Sequence, residues 1–260
     1  MTGRGGWDVH CLDSRDMRPV GTASCGLVLS SPPYFPEGVE AELRSGAVRD
    51  RRVLRGTVRG FVEGLAPVFG EIRRVLRPGG KLVLITRYLA AGGEQIPVTE
   101  WFRGLVEREG MVVEARYFLR KYGRRSPRQR AGDFVRGGAA VPVAVEDVMV
   151  YGDGEPVGRK RTVRCGVSEE EVVSLMEPLW DLPSPGAGRK HPHQMPREAG
   201  RRLILLYSRP GDVVLDPFAG AAGLLLEGQR LGRRVVACEV DPRYAEVCRQ
   251  ELSRSASHAH

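Results

Sequence analysis

The sequence predicts an α/β fold built on a mostly parallel β-sheet, and three observations carry that expectation. Short apolar runs at 9–12, 26–30, 81–86, 212–215 and 234–238 are separated by stretches of helical apolar spacing. Past a glycine or charged first residue, the last four runs are near-continuously apolar rather than alternating, as suits strands covered on both faces. Several end in polar or proline residues that open into loops. At 260 residues and 42% hydrophobic, the chain has enough apolar material for one ordinary domain, or one domain plus an insertion.

The elements follow in order. Runs 9–12 and 26–30 are the first two strands. From Val58 the residues Phe61, Val62, Leu65, Val68, Phe69, Ile72, Val75 and Leu76 recur at helical spacing until Arg77-Pro78-Gly79-Gly80 stops them. Residues 81–86 then read as a strand. Residues 98–109 form a helix with Trp101, Phe102, Leu105 and Val106 on one face, and 111–119 begins another strand. The rhythm breaks there: 148–151, the turn Gly152-Asp153-Gly154 and 157–165 read as a β-hairpin carrying basic residues. It resumes near 196 with a helix to Ser208, a strand at 212–215, a helix from about Ala222, a strand at 234–238 and a last helix after Asp241. The expected organisation is an α/β core in two halves, 1–115 and 190–260, interrupted by a basic insertion at 116–189.

The charge is concentrated in that insertion. Lys and Arg number 40 against 32 acidic residues, a formal net charge of +8. Between 116 and 136, Arg116, Arg120, Lys121, Arg124, Arg125, Arg128, Arg130 and Arg136 face only Asp133 and are interleaved with Tyr117, Phe118, Tyr122 and Phe134. A second cluster holds Arg159, Lys160, Arg161 and Arg164. Concentrated arginine among aromatics fits a nucleic-acid surface, whereas a solvated basic loop is the plain alternative. Five cysteines without a CxxC pair argue against a disulfide framework and against structural zinc. His191 and His193 flank a proline with no cysteine nearby, so no metal is expected. No apolar run approaches membrane-spanning length, and the start MTGRGGWDVHCLD lacks a secretory signal. A soluble cytoplasmic protein is expected.

Two constellations carry chemistry. Ser31-Pro32-Pro33-Tyr34 follows an apolar strand directly, at the carboxyl end where open α/β sheets bind ligands. Prolines hold that backbone, so the Ser31 hydroxyl and the Pro32 carbonyl can accept both hydrogens of one planar amino group while Tyr34 covers the flat face of a base. An extended loop is the alternative. The second is Asp216-Pro217-Phe218-Ala219-Gly220, a strand end opening into a glycine loop ahead of a helix. About twenty residues on, the next strand ends at Glu239, whose carboxylate can accept hydrogen bonds from ribose hydroxyls. Capping the helix near Asp241-Pro242 is its alternative role.

Together these residues resemble the S-adenosylmethionine-dependent DNA amino-methyltransferases, in the group whose catalytic motif precedes the cofactor motif. Ser31 to Tyr34 is similar to the family's catalytic tetrapeptide, Arg77 to Gly80 to its helix-to-strand turn, Asp216 to Gly220 to its cofactor loop, and Glu239-Val240-Asp241-Pro242 to its next acidic strand end. His191-Pro192-His193-Gln194-Met195-Pro196 resembles the His-Pro-Thr-Gln-Lys-Pro segment ahead of the cofactor loop. Asp13 is similar to an acidic residue that approaches the adenine amine, with a turn at Asp13-Ser14 as its alternative. The resemblance implies a Rossmann-like class I methyltransferase fold with circularly permuted motif order and an inserted target-recognition region. It implies Ser31, Pro32, Pro33 and Tyr34 in catalysis, and Asp13, His191, Gln194, Asp216, Pro217, Phe218, Ala219, Gly220, Glu239 and Val240 around S-adenosylmethionine. Arg120, Lys121, Arg124, Arg125, Arg128, Arg130, Arg159, Lys160 and Arg161 are then expected on double-stranded DNA, and the resemblance admits a companion restriction endonuclease.

Two departures stand out. Gly220-Ala221-Ala222-Gly223 replaces the family's Gly-Ser-Gly-Thr, and Met195 stands where lysine is common. Serine as the first motif residue resembles the cytosine-N4 branch. Adenine-N6 methylation, RNA amino-methylation and a catalytically silent DNA-binding protein are the alternatives. Methylation at cytosine C5 is rejected, because it needs a thiolate that typically follows proline, and no cysteine here does.

Overall fold

The computed structural model describes residues 6–36, 39, 51–91, 94–122, 145–154, 167–184 and 194–257. Its centre is an eight-stranded sheet in the order β1-β10-β9-β2-β3-β7-β6-β8. The strands are β1 (Trp7–Cys11), β2 (Cys25–Ser30), β3 (Leu76–Thr86), β6 (Val112–Tyr122), β7 (Val145–Gly152), β8 (Leu179–Pro183), β9 (Val213–Asp216) and β10 (Arg234–Glu239). Among these described strands only β7 runs antiparallel to its neighbours; every other pairing in the sheet is parallel. A separate two-stranded ribbon pairs β4 (Leu89–Ala91) with β5 (Glu94–Ile96).

Helices cover both faces, which explains the unbroken apolar runs. In β2, Val28 joins one core cluster while Leu27 and Leu29 join the other. The first cluster takes Leu54, Val58 and Val62 from α1 (Arg51–Glu63), Phe69 and Ile72 from α2 (Ala66–Val75), and Phe102 and Leu105 from α3 (Val98–Arg108). The opposite cluster takes Leu203 and Ile204 from α5 (Arg197–Tyr207), Leu226 from α6 (Leu226–Arg230) and Cys248 and Leu252 from α7 (Pro242–Ser257). Each such aliphatic side chain contributes about 1.5–3 kcal/mol by leaving water. Burial pushes the Cys238 and Cys248 thiols up to about 12, so both act as packing groups. Among the described residues, no helix is long and apolar enough to cross a membrane.

Several expectations need correction. The helical spacing over 58–76 belongs to two helices, α1 and α2, broken at Gly64-Leu65, with a proline in the first turn of α2. Arg77 to Gly80 already lies inside β3, because Leu76 pairs with Cys25 before the register shifts. The hairpin read over 148–165 is described only in its first half. Its first arm is β7, held in the main sheet between β3 and β6, and 157–165 lies outside the described residues. β6 and β8 are strands of the same sheet, so the described parts of 116–189 belong to the core. The helix expected from Ala222 starts only at Leu226, because i→i+3 turns from Ala219 to Leu225 come first. α4 (Glu169–Leu175) was missed, although Ser168 accepting the Glu171 N–H at 3.2 Å is a helix-start signal open to reading.

Candidate active site at the carboxyl edge of the sheet

The parallel register brings the ends of β1, β10, β9 and β2 together. Cys11 lies beside Glu239, Ala237 beside Asp216 and Leu215 beside Val28. The order reverses between β9 and β2: β9 leads to β10 on one side, with β1 beyond it, and β2 leads to β3 on the other. Such a reversal opens a crevice at the carboxyl ends of the strands. The early Pro-Pro corner and the late glycine loop both leave from this point.

Two buried serines tie the loops together, and sequence reasoning had missed both. Ser30 Oγ donates to Asp216 Oδ1 at 2.6 Å, joining the last residue of β2 to the last of β9. Ser14 Oγ donates to the Pro217 carbonyl at 2.5 Å, pinning the loop after β1 to the same turn. A strand-terminal serine carries no sequence signal of a partner this distant. Asp216 is 2% exposed. Burial pushes its carboxyl up to about 7, while the Ser30 hydroxyl and the Phe218 N–H pull it down and the Glu239 charge pushes it further up.

The glycine loop is spanned by Glu239. Its Oε2 accepts the Gly220 N–H at 2.8 Å and its Oε1 accepts the Asp241 N–H at 2.9 Å. A carboxylate has about four acceptor positions, so each oxygen keeps one open among the described residues. The helix cap belongs to Asp241, whose Oδ1 accepts the Arg243 N–H at 2.8 Å. Val240 beside it is 65% exposed, a large apolar side chain facing out at the site's rim. Phe218 packs against the first core cluster, and Ala219 is buried with its N–H on the Cys238 carbonyl. Gln194 and Met195 lie against Gly223, where an added Cβ would meet Gln194 Cγ at 3.1 Å.

Asp13 makes the turn that was its alternative reading: Oδ1 accepts the Arg15 N–H at 3.0 Å, and the Arg15 guanidinium holds its carboxyl below the usual range. It still sits at the same edge, because the Leu12 N–H donates to the Glu239 carbonyl at 3.1 Å.

On the catalytic side Pro32 is buried, Pro33 exposed and Ser31 half-buried. The Tyr34 ring lies 6.3 Å from Phe102, tilted by 57°. Burial pushes the Tyr34 hydroxyl up, the Glu146 charge adds to this, and Arg87 and the Ser31 side chain oppose it.

Of the basic residues expected on DNA, the structure describes two. Arg120 is exposed and pairs with Asp181. Lys121 is not a free surface cation: it pairs with Glu146 at 2.5 Å, with side chains 19% and 10% exposed. His191, Arg124, Arg125, Arg128, Arg130, Arg159, Lys160 and Arg161 lie outside the described residues. A cleft of about 590 Å³ opens at the opposite, amino-terminal edge of the sheet. Two ion pairs line it, Arg77–Asp212 at 2.9 Å and Lys81–Glu114 at 2.6 Å.

Known proteins agree with this geometry. The chain is 25% identical over 272 residues to the type II methyltransferase M.MjaI of Methanocaldococcus jannaschii, covering 92% of this chain and 89% of that protein. A DNA modification methylase of Thermus thermophilus, solved in complex with S-adenosyl-L-methionine, superposes with a TM-score of 0.71 at 24% identity, over 95% of this chain and 93% of that one. The PvuII DNA methyltransferase, cytosine-N4-specific, gives a TM-score of 0.71 at 14% identity, over 98% and 92% of the two chains. These two likenesses establish the fold. The model of the N6/N4 DNA methylase family matches residues 26–250, so the chain belongs to the DNA methylases.

Proposed function

We propose that the chain transfers a methyl group from S-adenosylmethionine to the exocyclic N4 amine of a cytosine rotated out of duplex DNA. The observation that carries this reading is the Ser30–Asp216 hydrogen bond, which holds the Ser31 corner and the glycine loop at adjacent strand ends. The residues present fit the cofactor: a carboxylate with open acceptor positions at Glu239 stands beside the exposed, apolar Val240. Glu239 would hold the ribose hydroxyls, Val240 one face of the adenine, and Asp13 and Gln194 the rim. When bound, S-adenosylmethionine supplies a methyl group on a sulfonium, electrophilic enough for a neutral amine.

The protein's work is positioning. Inside a duplex the amine is out of reach, so the nucleotide is extruded and its face covered by Tyr34. Ser31 Oγ and the Pro32 carbonyl accept the two amine hydrogens, which favours the pyramidal nitrogen and stabilises its developing positive charge. Alignment contributes most of the acceleration, and the proton leaves after transfer. The basic residues of 123–144 and 155–166, with Arg120, form the target-recognition surface. They contact mostly phosphates, and a few read guanine edges. A companion endonuclease acting at the same site fits this reading.

The base assignment rests on Ser31 as first motif residue; adenine N6 is the second reading. Incubation with duplex DNA and labelled cofactor, followed by nucleoside mass spectrometry, is expected to yield N4-methylcytosine. N6-methyladenine overturns the base choice. Label in RNA alone overturns the DNA substrate. A protein that binds DNA but labels neither nucleic acid and shows no S-adenosylmethionine binding in calorimetric titration is the silent form.

A further inference from the structure

At the far end of the sheet one face stays exposed, with Arg116, Phe118 and Arg120 on β6 beside Leu179 and Asp181 on β8. Phe118 and Leu179, 36% and 45% exposed, join neither core cluster. On this surface Arg116 is held in one orientation. Its Nε and Nη2 donate to Asp147 Oδ1 at 2.9 and 2.5 Å, and its guanidinium lies 4.9 Å from the centre of the Phe118 ring. Asp147 is fixed in turn: its side chain is 9% exposed, and Oδ2 accepts the Thr99 hydroxyl at 3.4 Å, which pairs with the Thr86 hydroxyl at 3.0 Å. The Arg116 side chain nonetheless remains 47% exposed. A planar fork set by a carboxylate and an aromatic ring has given up its freedom before any partner arrives.

The register relates this fork to the catalytic corner. Ser30 pairs with Leu84, and Thr86, two residues on, pairs with Asp147, which pairs with Phe118. Asp147 and Phe118 therefore stand at the carboxyl edge of the sheet, just past the level of Ser30. Arg116 pairs with Met149 of the first core cluster, the cluster that Tyr34 packs against, so fork and ring share a face. Sideways, β2 and β6 are separated by β3 and β7, a span of roughly 14 Å. Base pairs rise by about 3.4 Å each, so a duplex lying along this edge with its target nucleotide at the corner brings a base about four pairs away to Arg116. β6 ends and β7 begins at the same edge, so the basic stretch between them is rooted here as well.

Charge decides what the fork reads. Arg116 is paired with Asp147 and Arg120 with Asp181, so this surface adds little attraction for phosphates. The Asp147 carboxylate disfavours a further anion beside it, but not a neutral base edge. Guanine presents two coplanar acceptors, O6 and N7, in the major groove, matched to a guanidinium. We propose that Arg116 reads a guanine of the target site, with Asp147 and Phe118 as its positioning residues. This rests on the duplex-DNA reading made under Proposed function and names one residue that sets its sequence choice.

Sequencing of modified bases in DNA from a host expressing the full chain tests it. Wild type is expected to mark a sequence with a fixed guanine besides any paired with the target base. Arg116→Ala should relax that one position and leave the others fixed, and Asp147→Asn should relax the same position. On the wild-type site, Arg116→Ala and Arg116→Lys should both lose roughly ten- to a hundredfold in kcat/KM, because lysine keeps the charge but not the fork. Both should bind S-adenosylhomocysteine within twofold of wild type, which reports an intact fold, and keep the salt dependence of DNA binding. An Arg116→Ala chain as strict as wild type overturns the proposal. So does a salt slope lowered by about one in Arg116→Ala and restored in Arg116→Lys, the mark of a phosphate contact. A wild-type chain that marks no base in duplex DNA overturns the DNA reading itself, and this inference with it.

Discussion

Ser30 and Asp216 share a buried hydrogen bond of 2.6 Å across 186 residues of chain, and it joins the strand that presents Ser31 to the strand that opens the glycine loop. Ser30 is fully buried, whereas Ser31, one residue on, is half-buried at the corner. Adjacent serines thus serve different ends. Ser30→Ala leaves a buried carboxyl short of a donor and is expected to cost about 1–3 kcal/mol of stability. Ser31→Ala is expected to stay within about 0.5 kcal/mol of wild type, as substitutions away from a buried network do. It should nonetheless lower turnover by roughly a hundredfold, as loss of one group stabilising transition-state charge does. Urea melts and single-turnover methyl transfer separate the two; a Ser31→Ala variant with full turnover would remove Ser31 from the chemistry.

The same carboxyl predicts how stability varies with pH. Burial raises Asp216 from 3.8 to about 7 in the folded chain. Between those values the folded state holds a proton that the unfolded state has released, so stability from this group is full below about pH 4 and is lost as pH rises through 7. Urea midpoints measured from pH 5 to pH 8 should fall more steeply for wild type than for Asp216→Asn, which cannot titrate. Parallel slopes would show that Asp216 is already ionised at pH 5.

What could be read ahead of the structure followed from apolar runs and from motifs that announce themselves. β2, β9 and β10 were legible because both faces of each are covered. Ser31-Pro-Pro-Tyr34 and Asp216 to Gly220 were legible because their residue types suit one chemistry. β7 was misplaced, since an apolar run does not reveal its partner and Gly152-Asp153-Gly154 suggested a local turn, while the actual pairing is with β3 and β6. Lys121 was grouped with its basic neighbours because burial of a cation appears only when Glu146 and Met195 are packed around it. Ser14 and Ser30 stayed hidden for a related reason: a hydroxyl's distant acceptor leaves no trace in composition.

Ala222 is the departure whose consequence the structure allows to be weighed. It sits at φ 59°, in the left-handed region, fully buried. That conformation costs a non-glycine residue about 1–2 kcal/mol. Restoring glycine relieves this but forfeits about 0.8 kcal/mol of buried methyl and frees the unfolded chain by about 0.4–1 kcal/mol. The terms nearly cancel, so Ala222→Gly is expected within about 1 kcal/mol of wild type. Ala222→Val, β-branched where φ is positive, should cost more than about 2 kcal/mol. Denaturant midpoints for the pair decide this, and a strongly stabilised glycine variant would mean that the loop is more strained than its geometry implies.

Two helical glycines should respond in opposite directions to one substitution. Gly104 in α3 has nothing within 4 Å of an added Cβ, so Gly104→Ala gains helix propensity and should stabilise by about 0.5–1 kcal/mol. Gly200 in α5 is different: an added Cβ would lie 2.3 Å from the Leu224 carbonyl oxygen and 2.9 Å from its carbon, both backbone atoms that cannot rotate away. The same propensity gain is outweighed by overpacking of about 1–3 kcal/mol or more, so Gly200→Ala should destabilise. It should also weaken cofactor binding, because pushing Leu224 away displaces Gly223 from Gln194 and Met195. Thermal melts with and without S-adenosylhomocysteine measure both effects, and a Gly200→Ala chain that is more stable than wild type would show that α5 and the glycine loop are not in backbone contact.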